Sequence, residues 1–301
     1  MAETGRLGPP DGGQPVDPVS GPAPRAGASD GPSMPPPSTV AAPRPVRRWL
    51  WLGLRDFAAM PLTSLFYGLA FVAMAFVLER YMRDGAWMLA LVTGFALVAP
   101  FLAIGLYALS RDRCRGGAAG DPAGASFLAS LTAWRTNFGQ VAIYGVILTL
   151  LLAAWIRVSV VLVALFFDQP ATSLSELAVG LAQDPEGFVF FAVYFVVGGA
   201  FACLVFATGV VALPMMLDRP VDVVSAMIWS AQAALANVAT MLRWAAAIAT
   251  LLALGMLGRF LPLALIVPVI GHASWHVYRE LSGGTAGEGA QDGPPESPSP
   301  V

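Results

Sequence analysis

The only two histidines of the 301-residue chain, His272 and His276, stand four positions apart in Gly271-His-Ala-Ser-Trp-His-Val-Tyr-Arg279. On a helix this spacing puts both imidazoles on one face, as a metal pair would need. Ala273 occupies the position where an HExxH protease keeps its general base, and no third ligand is evident. Both rings of one helix cannot hold a single haem, because axial ligands approach the iron from opposite sides. Two roles stay open: membership of an aromatic and basic belt with Trp275, Tyr278 and Arg279 at headgroup level, or a metal, haem or proton-relay function. The positions aligned with the pair in an earlier segment are Ile104 and Ala108, so that segment manages without histidine.

Arg157 is the second candidate, because it interrupts an uncharged stretch from Thr136 to Phe167 and a charge within a membrane is a functional candidate by default. It lies about 27 Å along a helix from Gly139, so snorkelling to the outer headgroups beside Asp168 competes with contact to an anion or substrate. Pro100, Pro214, Pro262 and Pro268 would kink or break helices and free carbonyls, as transporters do near their binding sites, or would mark packing shared by related segments. Gly198 and Gly199, with Cys203 beyond them, suit close helix contact. Cys114 and Cys203 have no metal-ligand spacing and read as free thiols. There is no GxSxG, no phosphate-cradling glycine loop, no acidic residue within the apolar helices and no Ser/His/Asp set, and Ser274 beside His276 has no orienting acid. Catalysis is not expected.

The elements that must carry these residues follow from the apolar runs. With 56% hydrophobic and only 12% charged residues, a water-soluble fold of this length could not cover its surface. About 20 apolar residues span a hydrocarbon core of about 30 Å. Six helices fit, at 60–79, 86–110, 139–165, 187–216, 241–258 and 260–278. The runs lack the dyad alternation of barrel strands, so the expected fold is all-α, a polytopic membrane helix bundle. Residues 1–46 and 282–301, rich in Pro, Gly and Ser, read as disordered tails around a membrane domain at 47–281. The PxxP spacing in the first tail arises by chance at such proline density. The first span would itself act as the insertion signal.

Arginine placement sets the expected orientation. Arg44, Arg47, Arg48 and Arg55 precede the first span, Arg111, Arg113, Arg115 and Arg135 lie between the second and third, Arg219 lies between the fourth and fifth, and Arg279 follows the sixth. The connection between the third and fourth holds Asp168, Glu176, Asp184 and Glu186 and no basic residue. Both termini are therefore expected in the cytoplasm, against a few opposing arginines in outer turns. Residues 44–281 carry 15 Arg against 12 acidic residues, a mild excess that suits anionic lipid heads. It lacks the dense basic stripe of a nucleic-acid binder.

The domain also resembles itself. Leu97 to Asp112 aligns without a gap on Leu265 to Glu280, matching Pro100 with Pro268, Tyr107 with Trp275 and Arg111 with Arg279. Asn137 to Gly145 aligns on Asn237 to Ala245, and Tyr67-Gly68 resembles Tyr144-Gly145. Three hairpin repeats are inferred, about 47–113, 121–219 and 221–281, each opened by a short cytoplasmic amphipathic helix at 47–58, 123–136 or 221–236. In the third, Val223, Met227, Ala231 and Leu235 recur at helical spacing. The alternative, a seventh crossing at 221–242, would move the C-terminus outside.

These residues resemble the bacterial domain-of-unknown-function 2189 family of integral membrane proteins, some members of which are labelled cytochrome c oxidase subunits. The resemblance runs through Trp49-Leu-Trp-Leu-Gly53 and Pro61, Val98-Ala-Pro-Phe-Leu-Ala-Ile-Gly-Leu-Tyr107, Trp155-Ile-Arg157, Leu213-Pro-Met-Met-Leu-Asp-Arg219 and Gly271 to Arg279. It implies an inner-membrane protein without an established activity. The oxidase label does not transfer, because histidines on several helices able to hold two haems and a copper are missing. The expected function is a non-enzymatic accessory or assembly role in the envelope, with the lipid bilayer, other membrane proteins or a second copy as partners. The alternatives are a transporter, or a haem- or copper-bearing respiratory component using His272 and His276.

Overall fold

A computed structural model describes residues 1–2, 36–40, 45–81, 85–116, 126–166 and 185–283, with side chains left out at 85–93, 96–97 and 185–186. Most of both expected tails, and the acidic connection with Asp168 and Glu176, lie outside the described residues. The described elements are all helical: α1 Pro45–Ala59, α2 Pro61–Tyr81, α3 Gly85–Gly116, α4 Phe127–Thr132 continued by a 3-10 turn Ala133–Asn137, α5 Phe138–Phe166, α6 Pro185–Gly209, α7 Ala212–Asp218, α8 Val223–Ala236, α9 Val238–Leu257 and α10 Leu263–Leu281.

Local sequence explains the breaks. Pro61 opens α2 at the first helical position, where its missing N–H removes no hydrogen bond. Asn237, at φ −131° and ψ 36°, separates α8 from α9. Its side chain holds three main-chain groups, donating to Ala233 O at 3.0 Å and Ser38 O at 3.1 Å and accepting from Val40 N at 2.7 Å. The aligned Asn137, at the α4–α5 junction, donates to Met216 O at 3.3 Å and Val221 O at 3.1 Å. Within the first tail, residues 36–40 are thus tied to the helices, and Ser38 N also donates to Leu281 O at 2.8 Å.

Among the described residues, four stretches are long and apolar enough to cross a bilayer: Pro61–Tyr81, Phe127–Phe166, Gly187–Asp218 and Val238–Leu257. Six were expected, and α3 and α10 are outside this set. The second half of α10 carries His272, Ser274, His276, Arg279 and Glu280, which dilutes its hydropathy, and the side chains of α3 are described only in part. The stretch 221–242, read as interfacial with a seventh crossing as the alternative, is divided at Asn237, and α8 with its 14 residues rises about 21 Å against a core of about 30 Å. Its buried stripe is Val223, Ala226, Trp229, Ser230, Ala233 and Ala234, whereas Leu235 is exposed. The inward face is therefore rotated from the one the apolar spacing suggested.

The outer flanks are oily. Leu150, Val160 and Leu165 on α5 and Phe188, Phe195 and Val196 on α6 are all more than 60% exposed. A patch of this extent has lipid as its solvent.

Packing follows a regular scheme. Successive long helices pack side by side, α2 on α3, α5 on α6 and α9 on α10. Each short helix packs on the second long helix of another pair: α1 on α10, α4 on α3 and α8 on α6. At α4 the Tyr67 hydroxyl meets Ser130 Oγ at 2.9 Å, and the Tyr67 ring lies where a Cβ on Gly105 would fall. At α8 the Tyr144 hydroxyl occupies the same place over Gly209, and Ser230 Oγ donates to Ala207 O at 2.8 Å. At α1 the fully buried Trp244 stacks edge-on against Trp49, ring centroids 5.8 Å apart. Gly53 and Gly68 bring α1 and α2 onto α10 so closely that an added Cβ would meet Val269 O at 2.5 Å and Ala264 O at 2.0 Å.

Candidate functional site: a buried histidine, serine and aspartate cluster

Where α1, α2, α3 and α10 meet, five polar side chains form one continuous chain of hydrogen bonds. Ser64 Oγ lies 2.9 Å from His272 Nε2, and His272 Nδ1 lies 2.7 Å from Ser110 Oγ. Ser110 Oγ donates to Asp56 Oδ2 at 2.8 Å, and the same oxygen lies 2.9 Å from His276 Nε2. The Arg113 guanidinium sits 3.4 Å from Asp56 Oδ1. Ser64, Ser110 and His272 are fully buried, and Asp56 is 4% exposed. The edge of the cluster opens at the side chains of His276, 12% exposed, and Arg113, 29% exposed.

Proton positions follow from donor counting. Burial by itself pushes the Asp56 carboxyl up. The His276 hydrogen bond and charge, with help from the Ser110 hydroxyl and His272, outweigh that and hold it below its ordinary value of 3.8. Asp56 is therefore an ionised acceptor. The single hydroxyl proton of Ser110 goes to Asp56, so His272 Nδ1 must carry a proton and donate to Ser110. With neutral His272, Nε2 accepts from the Ser64 hydroxyl. His276 donates its Nε2–H to Asp56. From Ser64 through His272 and Ser110, the donors all point towards the carboxylate.

The helix spacing did put both imidazoles on one face of α10, but the ligands they meet are hydroxyls and a carboxylate. Both ring nitrogens of His272 are engaged, so a metal or haem there would have to displace Ser64 or Ser110. Among the described residues, no group of three or more His, Cys, Asp or Glu side chains is placed to hold a metal ion. Trp275 and Tyr278 are 3% and 1% exposed, so they face inward, away from any lipid belt. Tyr278 donates its hydroxyl to Asp218 at 2.8 Å. The acid that orients His276 exists after all, on α1 and 220 positions away in sequence.

The other candidates stay apart from this cluster. Arg157 projects from the exposed side of α5, while nearby Ser159 pairs with the Tyr194 hydroxyl at 2.8 Å. Pro100 and Pro268 are buried inside α3 and α10, Pro214 is buried in α7, and Pro262 caps α10. A half-open recess of about 380 Å³ lies beside Asn137, Gln140 and residues 216–222. Its side-chain amides are already bonded to Met216 O, Val221 O and Val223 N. Cys114 and Cys203 are free.

The exposed apolar flanks and the inward polar cluster define the class of molecule. Residues 88–218 match the model of DUF2189, a family of predicted integral membrane proteins. No curated protein and no solved structure matches the chain. The DUF2189 match takes in α3 to α7 with Ser110 and Arg113, whereas Asp56, Ser64, His272 and His276 lie outside it.

The alignments within the chain isolate what is special about the cluster. Continued without a gap, they set Asp56 against Ala133 and Ala233, His272 against Ile104, and His276 against Ala108. Those four apolar residues are all buried too. At these aligned positions packing is met by alanine and isoleucine. A buried ion pair is a weak device for stability in any case.

Proposed function

We propose that this chain is a non-enzymatic protein of the bacterial inner membrane with an accessory or assembly role in the envelope. It crosses six times, with α2, α3, α5, α6, α9 and α10 as spans and both termini in the cytoplasm. The three helix-plus-hairpin units form a ring, closed where the first unit meets the last. Support for the ring comes from the repeated placement of a short helix on the second long helix of another pair.

One observation carries the non-enzymatic assignment: the reactive atoms of the polar cluster are turned on one another. Both nitrogens of His272, Nε2 of His276 and both Asp56 oxygens are occupied by protein partners. The test joins topology to chemistry. Reporters fused at each terminus and within 168–184 should register the cytoplasm, the cytoplasm and the periplasm. The purified protein should show no haem absorption and no stoichiometric copper. A periplasmic terminus, or a cofactor lost on His272→Ala, overturns the proposal.

A second reading, a transporter, is favoured by a titratable His272 fully buried between helices. Substrate uptake into proteoliposomes that His272→Ala abolishes would establish it in place of the first.

A further inference from the structure

We propose that Ser64, His272, Ser110 and Asp56 form a proton-binding site in which the hydrogen bond between Ser64 and His272 reverses direction when His272 Nε2 takes a proton. In the first state the Ser64 hydroxyl donates to the bare nitrogen. In the second, Nε2–H donates to Ser64 Oγ across the same 2.9 Å. The Ser64 hydroxyl proton then needs a new acceptor, for which the carbonyl of Met60, four residues back at the bend before α2 and already accepting Ser64 N at 3.0 Å, is the candidate by helical spacing. The balance is simple: one hydronium gives up its proton and becomes water, the imidazole becomes imidazolium, and no other bond is made or broken.

The surroundings suit a change of charge. Three charged or titratable side chains bear on His272: Asp56 from α1, Arg113 from α3 and His276 from its own helix. The new cation would face the Asp56 carboxylate through a single hydroxyl, with His276 and Arg113 on the carboxylate's other sides. Helix α2 contributes only the uncharged Ser64. Of the other helices on α10, α7 turns Asp218 towards Tyr278 and Arg115, and Arg243 of α9 is exposed. The site also has an outlet, since Asp56 is shared with His276 at the partly exposed edge. The equivalent junctions, built from Ile104, Ala108, Ala133 and Ala233, hold no such group.

Two histidines make the test direct. The full chain is labelled with nitrogen-15 histidine in detergent micelles, the two rings are assigned with His276→Asn, and their spectra are followed from about pH 8 downwards. The expected result is a neutral His272 carrying its proton on Nδ1, which passes to imidazolium in a single one-proton step while the fold is retained. Ser64→Ala removes the acceptor of the new cation, so it should move the His272 midpoint by about one pH unit to lower pH. Asp56→Asn should move it in the same direction. Should Asp56→Asn fail to fold, Ser64→Ala decides alone. A His272 protonated on Nε2 at high pH, a His272 that never titrates before the fold is lost, or a midpoint unmoved by Ser64→Ala overturns the proposal.

Discussion

Replacing Asp56 by alanine separates a structural role of the cluster from a chemical one. The substitution leaves the buried Ser110 hydroxyl without its acceptor and takes the carboxylate from His276 and Arg113. Removing one member of a buried charged pair costs about 3–5 kcal/mol. The lower end applies here, because Arg113 is 29% exposed and water can take over its solvation. The triple variant Asp56→Ala, His272→Ile, His276→Ala copies what the chain itself uses at Ala133, Ile104 and Ala108. It deletes both histidines with the acid, and the hydroxyls left behind can bond to carbonyls four residues back, Ser64 to Met60 and Ser110 to Leu106. Exchanging a buried polar set for apolar residues is often neutral or stabilising. The triple variant is therefore expected within about 1 kcal/mol of the parent, and the single variant to be about a hundredfold less favourably folded. Reversible unfolding in mixed detergent, read by fluorescence of the buried Trp49 and Trp244, measures both. A triple variant no more stable than Asp56→Ala would refute the reasoning, since the cluster would then be a structural clasp.

Other outcomes follow from local geometry. Gly68→Ala drives a Cβ into the Ala264 backbone, which cannot yield as a side chain can, so separation of α2 from α10 should cost about 1–3 kcal/mol or more; Gly199→Ala meets nothing within 4 Å and should leave detergent stability unchanged. Asn237→Ala removes three hydrogen bonds to main-chain groups and should hasten proteolysis at residues 36–40, which it ties down. Asp56 is held below 3.8 in the folded protein, so its stabilising contribution is complete above that pH and is lost only as pH falls through the lower folded value. The parent should thus lose stability below about pH 4 more steeply than Asp56→Ala, in unfolding curves taken at a series of pH values. Arg157→Leu, at an exposed position on α5, should change stability by less than about 0.5 kcal/mol in the same assay.

Much of the scaffold is legible in the chain because lipid imposes a simple requirement. An apolar run of about 20 residues without dyad alternation has only one way to satisfy its backbone. The expected helices at 60–79, 139–165 and 187–216 correspond within a few residues to α2, α5 and α6 with α7. The breaks at Pro61, Asn137 and Asn237 are local too, as is the separation of α8 from α9. Hydropathy is less informative for α10, which is apolar in its first half and polar in its second. A window average cannot tell a helix that ends in water from one whose polar residues face protein. Burial of His272, Ser274, Trp275 and Tyr278 shows the second case.

The site was half legible, and the missing half was the acid. Four-residue spacing paired His272 with His276 but could not reveal their partner, because Asp56 lies on a helix that reads as an arginine-rich interfacial segment. Nothing local distinguishes Asp56 from a solvated surface acid beside Arg55. The signal that could have found it is comparative and internal to the chain. Carrying the Tyr67–Tyr144 match backwards sets Asp56 against Ala133, and the Asn137–Asn237 match then sets Ala133 against Ala233. Where two of the three aligned positions are buried alanines, an aspartate in the third answers to something besides packing. The same comparison flags His272 against Ile104 and His276 against Ala108. All three exceptions fall at one junction, between the first helix and the last, and there the chain accepts a buried carboxylate that its other two junctions do without.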